Sequence, residues 1–170
     1  MQLRGNAILR HEQDKEKSLK KGKGRSAFMA VALLFLIVFF DNPALAGHPE
    51  ECALASHAFD EDLLKQINRY RVDNGRAPLF WDEDLRMSAR GHSRRMCEED
   101  TSSHNAFGER FRNSGRKHCV ENVGRNAATG IDQFRQWKES AAHNENMLDK
   151  RIHIAGISKA GYFVTFFACE

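Results

Sequence analysis

The sequence predicts an α+β domain, a three-layer α-β-α sandwich that closes on an antiparallel hairpin. Three observations carry this expectation. Amphipathic helical segments occupy residues 60–74 and 82–99, a further one covers 131–142, and two β-rich runs follow at 152–158 and 162–169. Helices first and a strand ribbon last is the order expected of helices packed on an antiparallel sheet.

The chain opens differently. Residues 1–26 are polar and hold eight Lys/Arg against three Asp/Glu, and the next fourteen, AFMAVALLFLIVFF, carry no charge. That run is shorter than the roughly 18 apolar residues of a permanent membrane span. Ala44-Leu45-Ala46 then supplies the small-x-small pattern that signal peptidases cut. Residues 1–46 therefore read as a secretory signal peptide with a long basic leader, cleaved after Ala46, with a retained anchor as the alternative. Residues 47–59 form an N-terminal segment and 60–170 the folded domain. The product is expected to be secreted or periplasmic, touching a membrane only through an uncleaved signal segment. Eight bases and four acids lie before residue 47, so +4 of the formal +3 belongs there and the remainder carries about −1. The basic pI thus describes the leader and is no argument for nucleic-acid binding, and no nucleic-acid partner is expected.

Each element has its own justification. In DEDLLKQINRYRVDN, Leu63, Leu64, Ile67 and Tyr70 recur at helical spacing, acids fill the first turn, and Gly75 follows the end. Asp82 is placed to cap a second helix with Leu85, Ala89, His92 and Met96 on one face. His92 therefore reads as a packed core histidine. From 101 to 126 the periodicity fades, apart from a short helical piece around 107–111 that Gly115 terminates. The third helix buries Ile131, Phe134 and Trp137, and its spacing puts Ser140 and His143 on one face. Lys159-Ala160-Gly161 separates the two β-rich runs as a hairpin would.

All four cysteines, Cys52, Cys97, Cys119 and Cys169, follow the expected cut. In an exported chain an even count reads as disulfides. The expected pairs are Cys52–Cys169, tying the ends, and Cys97–Cys119, closing an internal loop worth about 3 kcal/mol in chain entropy. No Cys-x-x-Cys pair supports a metal cluster.

No His-Glu-x-x-His, Gly-x-Ser-x-Gly or phosphate-cradling glycine loop is present. A looser set remains: His104, Glu121, Ser140 and His143. The succession LLKQINRYRVDNGRAPLFWDEDLRMSARGHSRRM, His104, ENV, WKESAAHNENML, IAGIS and GYFVTFF resembles the CAP superfamily. That superfamily comprises cysteine-rich secretory proteins, venom antigens and plant pathogenesis-related proteins. The likeness is to its short bacterial branch, the SCP-like extracellular domains, and covers about residues 60–169. It implies an α-β-α sandwich whose cleft holds two histidines and two acids. His104 matches the first histidine, Glu121 the acid of a Gly-Glu-Asn motif whose glycine is Val120 here, and His143 the second histidine. Ser140 stands where eukaryotic relatives carry the second glutamate, and Glu139 would point about 100° away on a continuous helix.

Two imidazoles and a carboxylate suit Zn²⁺ or another divalent metal with a place left for water, making His104, His143 and Glu121 candidate ligands. Alternatively Glu121 accepts a hydrogen bond from a histidine and orients it. Asn122 and Asn146 read as structural, bonding backbone groups. The first functional reading is a secreted binding module whose partner is a small ligand, a lipid or a component of the cell envelope or exterior. The others are a metal- or histidine-dependent hydrolase, protease-like, and a lipid or sterol carrier lined by some of Tyr162, Phe163, Phe166 and Phe167.

Overall fold

In the computed structural model, which describes residues 52–170, the chain runs α1 (His57–Asp73), β1 (Phe80–Trp81), α2 (Glu83–Glu98), α3 (Phe107–Asn113), β2 (Cys119–Arg125), α4 (Gly130–Glu139), α5 (Ala141–Leu148), β3 (Ile154–Ala160) and β4 (Phe163–Cys169). The expected signal segment, residues 1–46, lies outside the described residues, as do residues 47–51. Among the described residues no helix is long and apolar enough to cross a membrane.

The strands form one sheet in the order β1-β3-β4-β2, with β1 parallel to β3 and the other pairs antiparallel. Successive residues of β4 point to opposite faces, which is why this strand is buried on both sides. Val164, Phe166 and Ala168 pack with Leu63 and Ile67 of α1, Trp137 of α4 and Met147 of α5. Phe167 and Cys169 pack with Leu85 and Ala89 of α2, and Phe107 and Phe111 of α3 lean on that second cluster. Three layers result, as the sequence predicts. Phe163, Phe166 and Phe167 are core residues at 1% exposure or less, while Tyr162 is exposed. Phe167 also borders a cavity together with Asp82, Leu85, Ser88 and Arg110.

α2 begins where Asp82 accepts the Leu85 N–H at 2.9 Å, and it presses closely on the sheet at Gly156. Its Ser93 hydroxyl reaches the Ser158 carbonyl and the Thr165 hydroxyl, both at 2.8 Å, which satisfies the polar groups buried in that interface. α1 ends on Arg71, whose buried guanidinium donates to the carbonyls of Ala77, Met147, Asp149 and Ile152. This one side chain ties the end of α1 to the end of α5.

The structure corrects the expected disulfides. Cys52 pairs with Cys97 and Cys119 with Cys169. Cys169 lies opposite Ile154, at one end of β3, whereas Leu54 bridges Ala160 at the other end. Six residues of strand, about 20 Å, separate those ends, so Cys52 cannot reach Cys169. It meets the C-terminal end of α2 instead. Cys119 is directly opposite Cys169 across β2 and β4, with 4.1 Å between the Cα atoms. The pairs close loops of sequence separation 45 and 50, each worth about 4 kcal/mol by the chain-entropy relation.

Asp60, on the inner side of α1, is 3% exposed and its Oδ1 lacks a hydrogen-bond partner among the described residues. Burial pushes its carboxyl up to about 7, against the nearby charges of His57 and Arg86. Between about pH 4, the unfolded value, and pH 7 the folded state binds the extra proton, so this group makes stability fall as pH rises. Urea titrations at pH 5 and pH 8 test this. The stability lost by the native chain over that interval, measured relative to Asp60→Asn, is expected to be positive; identical pH dependence in the two proteins would refute it.

Candidate functional site

β2 is the sheet's edge strand, and its pairing fixes what faces outward. The Asn126 N–H bonds the Tyr162 carbonyl and the Glu170 N–H the His118 carbonyl, so the even-numbered residues of this stretch face β4. The carbonyls of Glu121 and Val123 therefore point away from the sheet. They are met by Asn146 Nδ2 of α5 at 3.1 Å and Trp137 Nε1 of α4 at 3.0 Å. Asn146 also donates to the Asn122 side-chain oxygen, and Asn122 donates to the His143 carbonyl. These two asparagines fasten α5 to the strand edge, the structural role expected of them.

Fastening requires a change of direction. The helix expected over 131–142 breaks: Ser140 is extended, with ψ 118°, and is both the C-cap of α4 and the N-cap of α5. Ser140 and His143 consequently do not share the face of one continuous helix, and the Ser140 side chain makes no cap hydrogen bond. His143 falls in the first turn of α5, with its ring centroid 6.2 Å from that of Trp137.

On the other side of β2 the Glu121 side chain is buried, at 1% exposure. Arg110 of α3 grips it from two points, Nε donating to Oε2 and Nη2 to Oε1, each at 2.8 Å. His104, in the loop before α3, places Nδ1 2.9 Å from Oε1. A carboxylate oxygen only accepts, so His104 Nδ1 carries the proton. The ring itself is half exposed. Together His104, Phe107, Val120, Glu121 and Asn146 border a cavity of about 290 Å³.

Two more histidines bear on this point. His92, buried as expected, donates Nε2–H to the Ser103 carbonyl at 2.8 Å and lies 3.8 Å from Glu121. Burial first, and the Arg110 charge second, hold it below the usual histidine range. Burial also lowers His143, followed by the charge of His104, and the His143 carbonyl is held by Asn122, the neighbour of Glu121 on β2. His143 is not on the cavity wall, but it precedes Asn146, which is, by three residues along α5.

The structure thus joins His104 to Glu121 directly, sets His143 nearby and leaves Ser140 at the helix junction. Arg110 was not among the sequence candidates. Its signal is visible in retrospect: Phe107, Arg110 and Phe111 share one face of a short helix, and an arginine on an apolar face requires a buried acid.

The comparisons with known proteins agree with this architecture. Residues 64–169 match the family model described as CAP, the cysteine-rich secretory protein family. This chain belongs to the CAP family. Its fold is similar to that of an extracellular SCP-domain protein from Bacillus anthracis str. Ames, with TM-score 0.64 and 21% identity over 67% of this chain and 41% of that one. A cysteine-rich secretory protein from Staphylococcus aureus aligns with TM-score 0.59 and 16% identity over 74% and 40%. An outer surface protein from Borrelia burgdorferi aligns with TM-score 0.60 and 18% identity over 69% and 98%. This CAP chain spans about two fifths of the length of the Bacillus and Staphylococcus proteins. No curated protein sequence matches it.

Whether the CAP site fits a metal depends on its donors. Among the described residues no three of His, Cys, Asp and Glu converge as a metal-holding group. Glu121 has both oxygens committed to Arg110. The donors left uncommitted are the Nε2 of His104, whose Nδ1 is held by Glu121, and the imidazole of His143.

Proposed function

We propose that this protein is an exported CAP-domain binding module whose cleft takes a divalent cation or a small ligand through His104 and His143. One observation carries the reading: His104 Nδ1 is anchored on a buried carboxylate, which leaves Nε2 as an available lone pair. Metal-binding histidines commonly have this outer anchor. Glu121 takes the orienting role here and the two histidines are the ligands, with remaining positions for water or for the bound partner. A bound Zn²⁺ would supply a positive centre able to hold a carboxylate or phosphate group. The signal-like leader, the two disulfides and the extracellular or outer-surface relatives support action outside the cytoplasm.

A hydrolase built on Ser140 and the lipid-carrier reading gain no comparable support. Ser140 is not aligned with His143 on one helix, and the three C-terminal phenylalanines are packed. Calorimetric titration of residues 47–170 with Zn²⁺ is the deciding measurement. Binding is expected for the native domain and a loss of at least about tenfold in affinity for His104→Ala or His143→Ala, as for a missing ligand. Absence of heat with the native domain would rule the metal out.

A further inference from the structure

We infer that Arg110 is a positioning residue: it pins Glu121 and the loop beside His104, so that His104 is held in one tautomer with its Nε2 lone pair presented to the cleft. This deepens the binding-module reading and rests on it for its function, though not for its geometry.

The guanidinium's bonding carries the inference. Two of its nitrogens hold the two oxygens of Glu121. The third, Nη1, donates to the Asn105 carbonyl at 2.8 Å. Asn105 follows His104 in the chain, so Arg110 grips both the acceptor of the His104 ring and the backbone that carries the ring. The backbone is fastened again where Phe107 N–H bonds the His104 carbonyl at 3.0 Å and the Arg110 N–H bonds the Ala106 carbonyl at 3.1 Å. The ion pair itself is shielded, with side-chain exposures of 9% and 1%.

The consequence for His104 is specific. Its ring is half exposed and would otherwise turn or exchange its proton between nitrogens. A carboxylate free to rotate would follow it. A carboxylate clamped at both oxygens does not, and it offers Oε1 as a fixed acceptor on one side of the ring only. The proton is thereby kept on Nδ1. Lysine cannot substitute, because a single ammonium lacks the planar fork that grips two oxygens and a third acceptor together. A purely structural ion pair would stabilise the fold equally well without selecting a tautomer, and this difference can be measured.

The experiment is long-range ¹H–¹⁵N correlation spectroscopy of the histidine rings in residues 47–170 at pH 8. His104 is assigned by the signal lost in His104→Gln. The native domain is expected to show the Nδ1–H pattern at His104. Arg110→Lys is expected to show mixed tautomers and a Zn²⁺ affinity about tenfold weaker. If Arg110→Lys does not fold, the uncharged pair Arg110→Met/Glu121→Gln replaces it. That pair keeps an acceptor oxygen but removes what holds it, and mixing is expected again. An Nε2–H pattern in the native domain overturns the inference, as does an unmixed Nδ1–H pattern in either folded variant. Failure of Zn²⁺ to bind the native domain ends the metal reading alone, because the tautomer is read without metal.

Discussion

Gly156→Ala is expected to remove more than about 3 kcal/mol of stability, enough to leave much of the domain unfolded. A Cβ at this position would lie 2.0 Å from the backbone nitrogen of Arg86 and 2.2 Å from the carbonyl carbon of Leu85. Both are main-chain atoms of α2, so no side-chain rotation relieves the overlap. α2 itself would have to lift from β3, and with it Leu85, Ala89 and the Ser93 bonds to Ser158 and Thr165. Denaturant unfolding followed by circular dichroism measures the loss. Gly91→Ala is the control: it lies in the same helix with nothing within 4 Å of an added Cβ. It is expected to be neutral or to gain up to about 1 kcal/mol from helix propensity. A Gly156→Ala protein within about 1 kcal/mol of native, far below the usual cost of such an overlap, would mean that α2 is not seated on the sheet as described.

That contact also marks how far the sequence could be read. Helices α1 and α2 were legible because their apolar residues recur at 3.6-residue spacing, and Asp82 caps α2 as its position suggests. The hairpin was legible from two β-rich runs around a glycine, and Gly161 does turn the chain, with φ +53°. β2 was not. Its sequence, CVENVGR, buries Glu121 and Asn122 where a simple strand would alternate apolar and polar residues. Polar groups survive there because Arg110 and Asn146 meet them, and neither partner is adjacent in sequence. Missing β2 led directly to the wrong disulfides, since Cys119 is opposed to Cys169 only when both are strand ends. The break at Ser140 was hidden for a similar reason. Local spacing favours one helix, and the pull of Asn146 and Trp137 on the outward carbonyls of β2 bends it. His92 was correctly placed inside, but its closeness to Glu121 belongs to the fold, not to the helix pattern.

The Arg110–Glu121 pair supplies the second large expected effect. Arg110→Met alone leaves a carboxylate in the interior with His104 as its remaining hydrogen-bond donor. Glu121→Leu alone leaves a guanidinium that keeps, among the described residues, only the Asn105 carbonyl. Each single change is expected to cost about 3–5 kcal/mol, the usual penalty for stranding one member of a buried pair. The double change Arg110→Met/Glu121→Leu removes both charges and fills the space with apolar groups, and is expected to return to within about 1 kcal/mol of the native domain. Denaturant titrations of the four proteins give the coupling energy directly. A double variant as unstable as the sum of the singles would show that the two residues contribute separately, through packing, and not by compensating each other. Recovered stability has a further use. A double variant that folds normally yet binds Zn²⁺ more weakly would separate the two roles of the pair, because the fold would then tolerate its removal while His104 would not.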